Sequence, residues 1–269
     1  MLNIDQSKLN LLTEQPLRQA TSRELRRHGG VFFVGGELPV DDTMETMFES
    51  HCMESTELFY LSFGDLHAFS RGEEMARQIK KNFNARLMGR LDYPAPVYIL
   101  ERAYAAGLDI LDIPLVPGEL LLNKGGRLEN SDLYQTLLSA RSVFSGWSVV
   151  STLLAGEGPS EAVTSVIDRM LKDGIMPLVA MSGNAVDVPS DGVADIFKHL
   201  VAGWKRYEVP LKPYLPLITH MTPLIPKKQV GLFRNLIDKI QDRHQLAASD
   251  LRRHLRVRQA EDSLDSAGL

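Results

Sequence analysis

The chain has 269 residues, of which 44% are hydrophobic and 24% charged, and its formal net charge is -4. These values exclude a disordered or fibrous chain, and no apolar run approaches the roughly 18 residues of a membrane-spanning helix. The acidic balance gives no global reason to expect nucleic acid, and a single cysteine, Cys52, excludes an intramolecular disulfide or a metal site built on several thiolates.

Residues 1 to 30 read as a polar lead-in. Met1 to Asp5 carries acid where a secretory signal would carry base, so the expected compartment is the cytoplasm. A short helix is predicted over Ser22 to Arg27, stopped by Gly29-Gly30. From Val31 a rhythm begins in which a short apolar run, a polar or glycine-rich turn and an amphipathic stretch recur six times. The apolar runs, read as buried strands, are Val31 to Val34, Leu58 to Phe63, Arg86 to Leu91, Asp109 to Val116, Trp147 to Leu154 and Ile175 to Met181. Helices are predicted over Asp42 to His51, Glu73 to Asn82, Pro96 to Ala105, Ser131 to Val143, Ser160 to Lys172 and Gly192 to Lys205. Gly107 and Gly174 fit the left-handed position past a helix end, and Ser160 fits an N-cap.

Beyond residue 206 the rhythm fails. Pro210, Pro213, Pro216, Pro223 and Pro226 predict an extended segment wrapping the body of the protein. A helix from Lys228 to about Arg243 follows, with Val230, Leu232, Phe233, Leu236, Ile237 and Ile240 as its apolar face. The last stretch is charged, and the basic run Arg252 to Arg258 reads as a solvated helix face or a contact for an acidic partner. The predicted fold class is therefore α/β: a partial (β/α)6 TIM-type barrel of parallel strands over residues 31–206, a lead-in over 1–30, and a proline-rich and helical extension over 207–269 that packs on the barrel and ends in a charged tail.

In parallel barrels chemistry collects at the C-terminal ends of the strands. The residues delivered there are Glu37, Asp65, His67, Arg90, Asp92, Asp112, Glu119, Ser151, Thr152, Glu157, Glu161, Ser182, Asn184 and Asp187. Carboxylates around one rim suit cation coordination, orientation of a polar substrate or general acid/base work, and Asp92, Asp112 and Glu157 are the catalytic candidates. The plainer reading of any one of them is a solvated loop side chain. Of the seven histidines, only His51 beside Cys52 and His67 near Asp65 are close enough in sequence to suggest shared ligation, and neither spacing is diagnostic, so no metal ligands are assigned.

Two strand ends carry distinctive sequence. Val31-Phe32-Phe33-Val34 runs into Gly35-Gly36-Glu37, where residues without side chains admit a ligand to the backbone and the carboxylate can accept from an ammonium group. Thr152-Leu153-Leu154-Ala155-Gly156-Glu157-Gly158-Pro159-Ser160-Glu161 passes from a strand through a Gly-x-Gly turn into a helix. The ordered pair, followed by Asp168 to Val179, resembles the partial barrel of radical S-adenosylmethionine enzymes of the biotin-synthase-like type over residues 30–205. That resemblance implies S-adenosylmethionine as cofactor, its amino group held by Gly35, Gly36 and Glu37 and its adenine near Leu154, Gly156 and Gly158. The family's four-iron cluster rests on three closely spaced cysteines upstream of Gly-Gly-Glu, and residues 1 to 30 contain none. A four-iron cluster is not expected from this chain alone.

The function expected from these residues is that of a cluster-deficient relative, binding a small molecule as a degenerate or accessory subunit beside a cluster-bearing protein partner. Two alternatives stand beside it. One is a cluster-independent TIM-barrel lyase or aldolase type of enzyme using the rim carboxylates, and the other is a radical S-adenosylmethionine enzyme missing its cluster segment. Neither nucleic acid nor a membrane span is expected in any of the three.

Overall fold

The computed structural model describes residues 2–115, 131–155, 159–181, 190–226, 247–248 and 250–256. In chain order these form β1 (Leu2–Ile4), α1 (Gln6–Glu14), β2 (Leu25–His28), β3 (Val31–Gly35), α2 (Val40–Met53), β4 (Leu58–Ser62), α3 (Phe69–Asn82), β5 (Arg86–Arg90) and α4 (Val97–Ala105). There follow β6 (Ile110–Asp112), α5 (Asp132–Ala140), β7 (Val149–Ala155), α6 (Ser160–Lys172), β8 (Met176–Met181), α7 (Ser190–Arg206), a 3-10 turn (Lys212–Tyr214), α8 (Leu215–Met221) and β9 (Leu224–Pro226). No helix among the described residues is long and apolar enough to cross a membrane.

Strands β2 to β8 make one curled, mostly parallel sheet in chain order, with β2 antiparallel at one edge and β8 at the other. Strands covered on both faces need apolar side chains on both, which is why β3 and β4 read as unbroken hydrophobic runs. The register fixes which side chains share a face. Phe33 pairs with Tyr60 and Tyr60 with Met88; Gly35 pairs with Ser62, Ser62 with Arg90 and Arg90 with Asp112. Beyond them Thr152 pairs with Leu178 and Leu154 with Ala180. Since side chains alternate along a strand, this set lines one face, the concave one, and its neighbours line the other. On that second face Phe59 packs on Phe83 at the end of α3, ring centres 4.8 Å apart. Helix α6 turns Val163, Val166, Ile167, Met170 and Leu171 inward, each buried. Full burial of one such side chain stabilises the fold by about 1.5–3 kcal/mol.

Helix ends follow the expected glycine chemistry. Gly107 and Gly174 have φ of +120° and +71°. After α6, the Ile175 N–H returns to Met170 O at 2.8 Å and the Gly174 N–H to Leu171 O at 3.2 Å, closing the helix as a left-handed cap does. Ser160 is not the cap of α6: Pro159 holds that position, and Ser160 is the first helical residue.

Two readings of the chain's flanks are corrected. Ser22 to Arg27 does not form a helix; Leu25–His28 is a strand, and Gly29-Gly30 is the two-residue turn that pairs His28 with Val31. Gly29 takes φ +52°, the positive angle such hairpin turns require. The proline-rich stretch is not extended throughout. Pro213 and Pro216 sit in first helical turns, where a missing N–H leaves nothing unpaired, and only Leu224–Pro226 is a strand, antiparallel to β1. The helix expected over 228–243 lies outside the described residues.

The basic run also has an internal role. Arg253 is buried and donates to Asp109 Oδ1 at 2.7 Å and to Leu108 O at 3.2 Å, while Arg256 donates to Ser142 O and Val143 O at 2.9 and 3.0 Å. Arg253 is thereby buried against the start of β6, while Arg256 stays partly exposed.

Candidate functional site

The concave face of the sheet holds a cavity of about 400 Å³. Its floor is Phe33, Tyr60, Arg90, Leu154 and Ala180, all from the face fixed by the register. Arg26 enters from the edge strand, His220 and Met221 from the end of α8, and Pro16 to Ala20 cross over as a strap. Among the described residues, three arginines, Arg18, Arg26 and Arg90, line it and no carboxylate does.

The acids stand behind the bases. Asp112, with no exposed surface, accepts from the Tyr60 hydroxyl at 2.7 Å, from the Thr152 hydroxyl at 2.9 Å and from the Thr152 N–H at 3.0 Å. Burial raises its pKa, and the Arg90 charge with the Tyr60 and Thr152 hydrogen bonds offsets part of that rise. Arg90, 7% exposed, donates through Nε to Asp92 Oδ1 and through Nη2 to Gln19 Oε1, both at 2.7 Å. Burial opposes its charge, but Tyr60, Asp112 and Asp92 outweigh burial and lift its pKa above the ordinary arginine value. Tyr60 is pushed well above the normal phenol by burial and then by Asp112, so it stays a proton donor.

Arg26 lies over the Phe33 ring, 5.0 Å from its centre, and donates through Nη2 to Arg18 O at 3.3 Å. Its Nε has neither solvent nor a hydrogen-bond acceptor, since Glu24 Oε1 stands off at 3.6 Å. Leaving such a donor unmet costs about 1–3 kcal/mol. His220 is packed between Phe33, ring centres 5.3 Å apart, and His28, at 3.9 Å. Burial, His28, Arg26 and Lys8 together lower its pKa to about 4, so at neutral pH it presents a neutral imidazole to the cavity.

The residues expected to act at the strand ends divide by this geometry. Arg90 and Leu154 reach the cavity, as does Tyr60, which was not among them, whereas Asp112 acts through Tyr60 and Thr152, and Asp92 through Arg90. With its oxygens already accepting three hydrogen bonds, Asp112 positions the site and is not a free acid or base. Ser151 points to the opposite face from Thr152 and pairs across the sheet with Pro177. Asp65 caps the turn at Ala68 N, 2.9 Å away, while His67 and Glu161 are exposed. His51 accepts from Thr56 N at 3.2 Å and Cys52 is exposed. Among the described residues no three His, Cys, Asp or Glu side chains converge on a point. Glu119, Gly156, Glu157, Gly158, Ser182, Asn184 and Asp187 lie outside the described residues. The contributions of Gln19, Arg26 and His220 were not legible, because each comes from a segment that carries no strand-end signal.

The Gly-Gly-Glu stretch is filled by the protein itself. A Cβ on Gly35 would stand 2.3 Å from Ser22 O, and one on Gly36 would stand 2.9 Å from the Gly72 Cα. Glu37 accepts from Ser22 Oγ at 2.5 Å and from Arg23 Nε at 2.8 Å, and these bonds hold it below the usual carboxylate range. The glycines are needed for close packing of the lead-in against β3 and β4, and the carboxylate is already paired.

No protein-family model matches the chain, and no curated protein does. Its fold is shared only distantly with solved structures. One is a complex of BexX and CysO from Amycolatopsis orientalis, 12% identical, with a TM-score of 0.43 over 75% of this chain and 71% of that one. Another is 7,8-dihydropteroate synthase from Vibrio fischeri ES114, 12% identical, with a TM-score of 0.35 over 68% of this chain and 94% of that one. At these values neither protein's chemistry carries over. The resemblance to radical S-adenosylmethionine enzymes is withdrawn: no family model matches the chain, and the residues assigned to the methionine amino group are packed or paired within the chain.

Proposed function

We propose that this chain is a partial (β/α)6 TIM-type barrel that binds a small organic anion on its concave face, without an iron–sulfur cluster. The observation that carries the reading is the cavity's lining, among the described residues, of three arginines and no acid, with Arg90 buried at its floor and aimed by Asp92 from the rim. A guanidinium held in this way suits a carboxylate or phosphate ester. Phe33, Leu154, Ala180 and Met181 would take the ligand's apolar part. His220, neutral at neutral pH, would add one hydrogen bond to the ligand without adding charge.

Calorimetric titration with benzoate, phenyl phosphate and inorganic phosphate tests the binding. Phenyl phosphate or benzoate should bind, and Arg90→Gln should weaken that binding by about ten- to a hundredfold, the value of a charge-assisted hydrogen bond. No heat with any of the three at millimolar concentration, from the unmodified chain and from Gln19→Ala alike, would refute the reading.

A further inference from the structure

The strap over the cavity makes its polar contacts with the arginines that the anion would need. Gln19 Oε1 sits 2.7 Å from Arg90 Nη2, and Arg18 O sits 3.3 Å from Arg26 Nη2. Both acceptors are neutral oxygens, placed where a carboxylate or phosphate oxygen would lie. Among the described residues, 16–20 make no backbone-to-backbone hydrogen bond, so the strap is held by side chains alone: Leu17 and Ala20 against the core, Gln19 on Arg90, and Arg18 on Glu24 at 2.8 Å. Its two ends are anchored. Before it, α1 is tied to α8 through Lys8 and Thr219; after it, Ser22 is bonded to Glu37.

We propose that the strap is the cavity's own occupant, and that Gln19 competes with the ligand for Arg90. The inference rests on the anion-binding reading. Exchange of one neutral amide oxygen for a ligand oxyanion releases Gln19, and release of the strap gives the ligand access to Arg26, whose Nε–H is unmet in the occupied state. Gln19 is thus a specificity-determining residue: a neutral ligand gains nothing over the amide it displaces, while an anion does.

The sign of one substitution tests this. If Gln19 competes, Gln19→Ala should bind phenyl phosphate about three- to tenfold more tightly than the unmodified chain. Gln19→Glu, which holds a carboxylate on Arg90 at high effective concentration, should bind it at least about tenfold more weakly. Circular dichroism on both variants establishes that they are folded. Binding by the unmodified chain with equal or weaker binding by Gln19→Ala would overturn the inference and leave the anion site standing. Binding by Gln19→Ala alone would support both, with the strap as the block. Absence of binding in both proteins would overturn both.

Discussion

Removing the Asp112 carboxylate should unbalance the centre of the sheet more than any other single change on its concave face. Asp112→Ala leaves three donors without their acceptor, the hydroxyls of Tyr60 and Thr152 and the Thr152 N–H, in a place with no exposed surface. The hydroxyls can rotate toward new partners, but the N–H cannot, and an unmet buried donor costs about 1–3 kcal/mol. Arg90 keeps its ion pair with Asp92 and its bond to Gln19 and loses only the favourable field of Asp112. Burial already disfavours the ionised carboxylate, so part of the loss is returned when it is removed. The net expectation is a loss of roughly 2–3 kcal/mol for Asp112→Ala, with about 1–2 kcal/mol for Tyr60→Phe, which deletes only one of the donors. Urea unfolding followed by circular dichroism measures both. A loss below about 1 kcal/mol for Asp112→Ala, at unchanged denaturant slope, would show that the carboxylate is not the hub of this network.

Three further outcomes are expected. Because the folded-state pKa of His220 is lowered to about 4, the unfolded chain binds the proton more readily between about pH 6.5 and 4. Stability from this group is therefore present above pH 6.5 and lost as pH falls toward 4, by roughly 2 kcal/mol after allowance for solvent screening; urea midpoints at pH 7 and 4.5 should show a loss that is smaller in His220→Gln, and an equal loss in both proteins would exclude His220 as its source. Gly35→Ala forces a Cβ onto the Ser22 carbonyl and should destabilise the fold by about 1–3 kcal/mol, read as a lower melting temperature; a stable variant would mean the glycine is not required for packing. Arg253→Met removes one partner of Asp109, at 2.7 Å, while Lys80 and the Leu87 N–H stay on the same carboxylate, and should cost about 1–2 kcal/mol in the same assay, whereas a solvated basic face would give a change within about 0.5 kcal/mol.

The parallel strands were legible because burial on both faces writes a short, continuous apolar run, and the helices because one buried face writes a period of 3.6. Strand β2 was not, since Leu25-Arg26-Arg27-His28 has the composition of an exposed helix, and only its pairing with β3 makes it a strand. The signal that was available was Gly29-Gly30, a pair that marks a two-residue hairpin as readily as a helix stop. At the site, Arg90 and Asp112 were visible as polar residues ending apolar runs. Tyr60 was hidden inside one, where an aromatic reads as core and its hydroxyl goes unnoticed. Gln19, Arg26 and His220 reach the cavity only through tertiary structure, two from the lead-in and one from the proline-rich segment, and no spacing in the chain connects them.

The small ladder of β1 and β9 has a consequence for how the cavity comes into being. It joins Leu2 to Pro226, and with the Lys8 contact to Thr219 it brings together the two pieces of chain that roof the concave face, residues 16–20 and 220–221. During synthesis the first of these leaves the ribosome on the order of 10–40 s before the second, at about 5–20 residues per second. Over that interval the parallel strands emerge and can pair, while Phe33 lacks the His220 ring that arrives with α8 and the hollow stays unroofed. A roofed cavity is therefore something that the nascent chain acquires only once Pro226 has been added, and a ribosome-bound chain stalled before that point should be the form most in need of a chaperone.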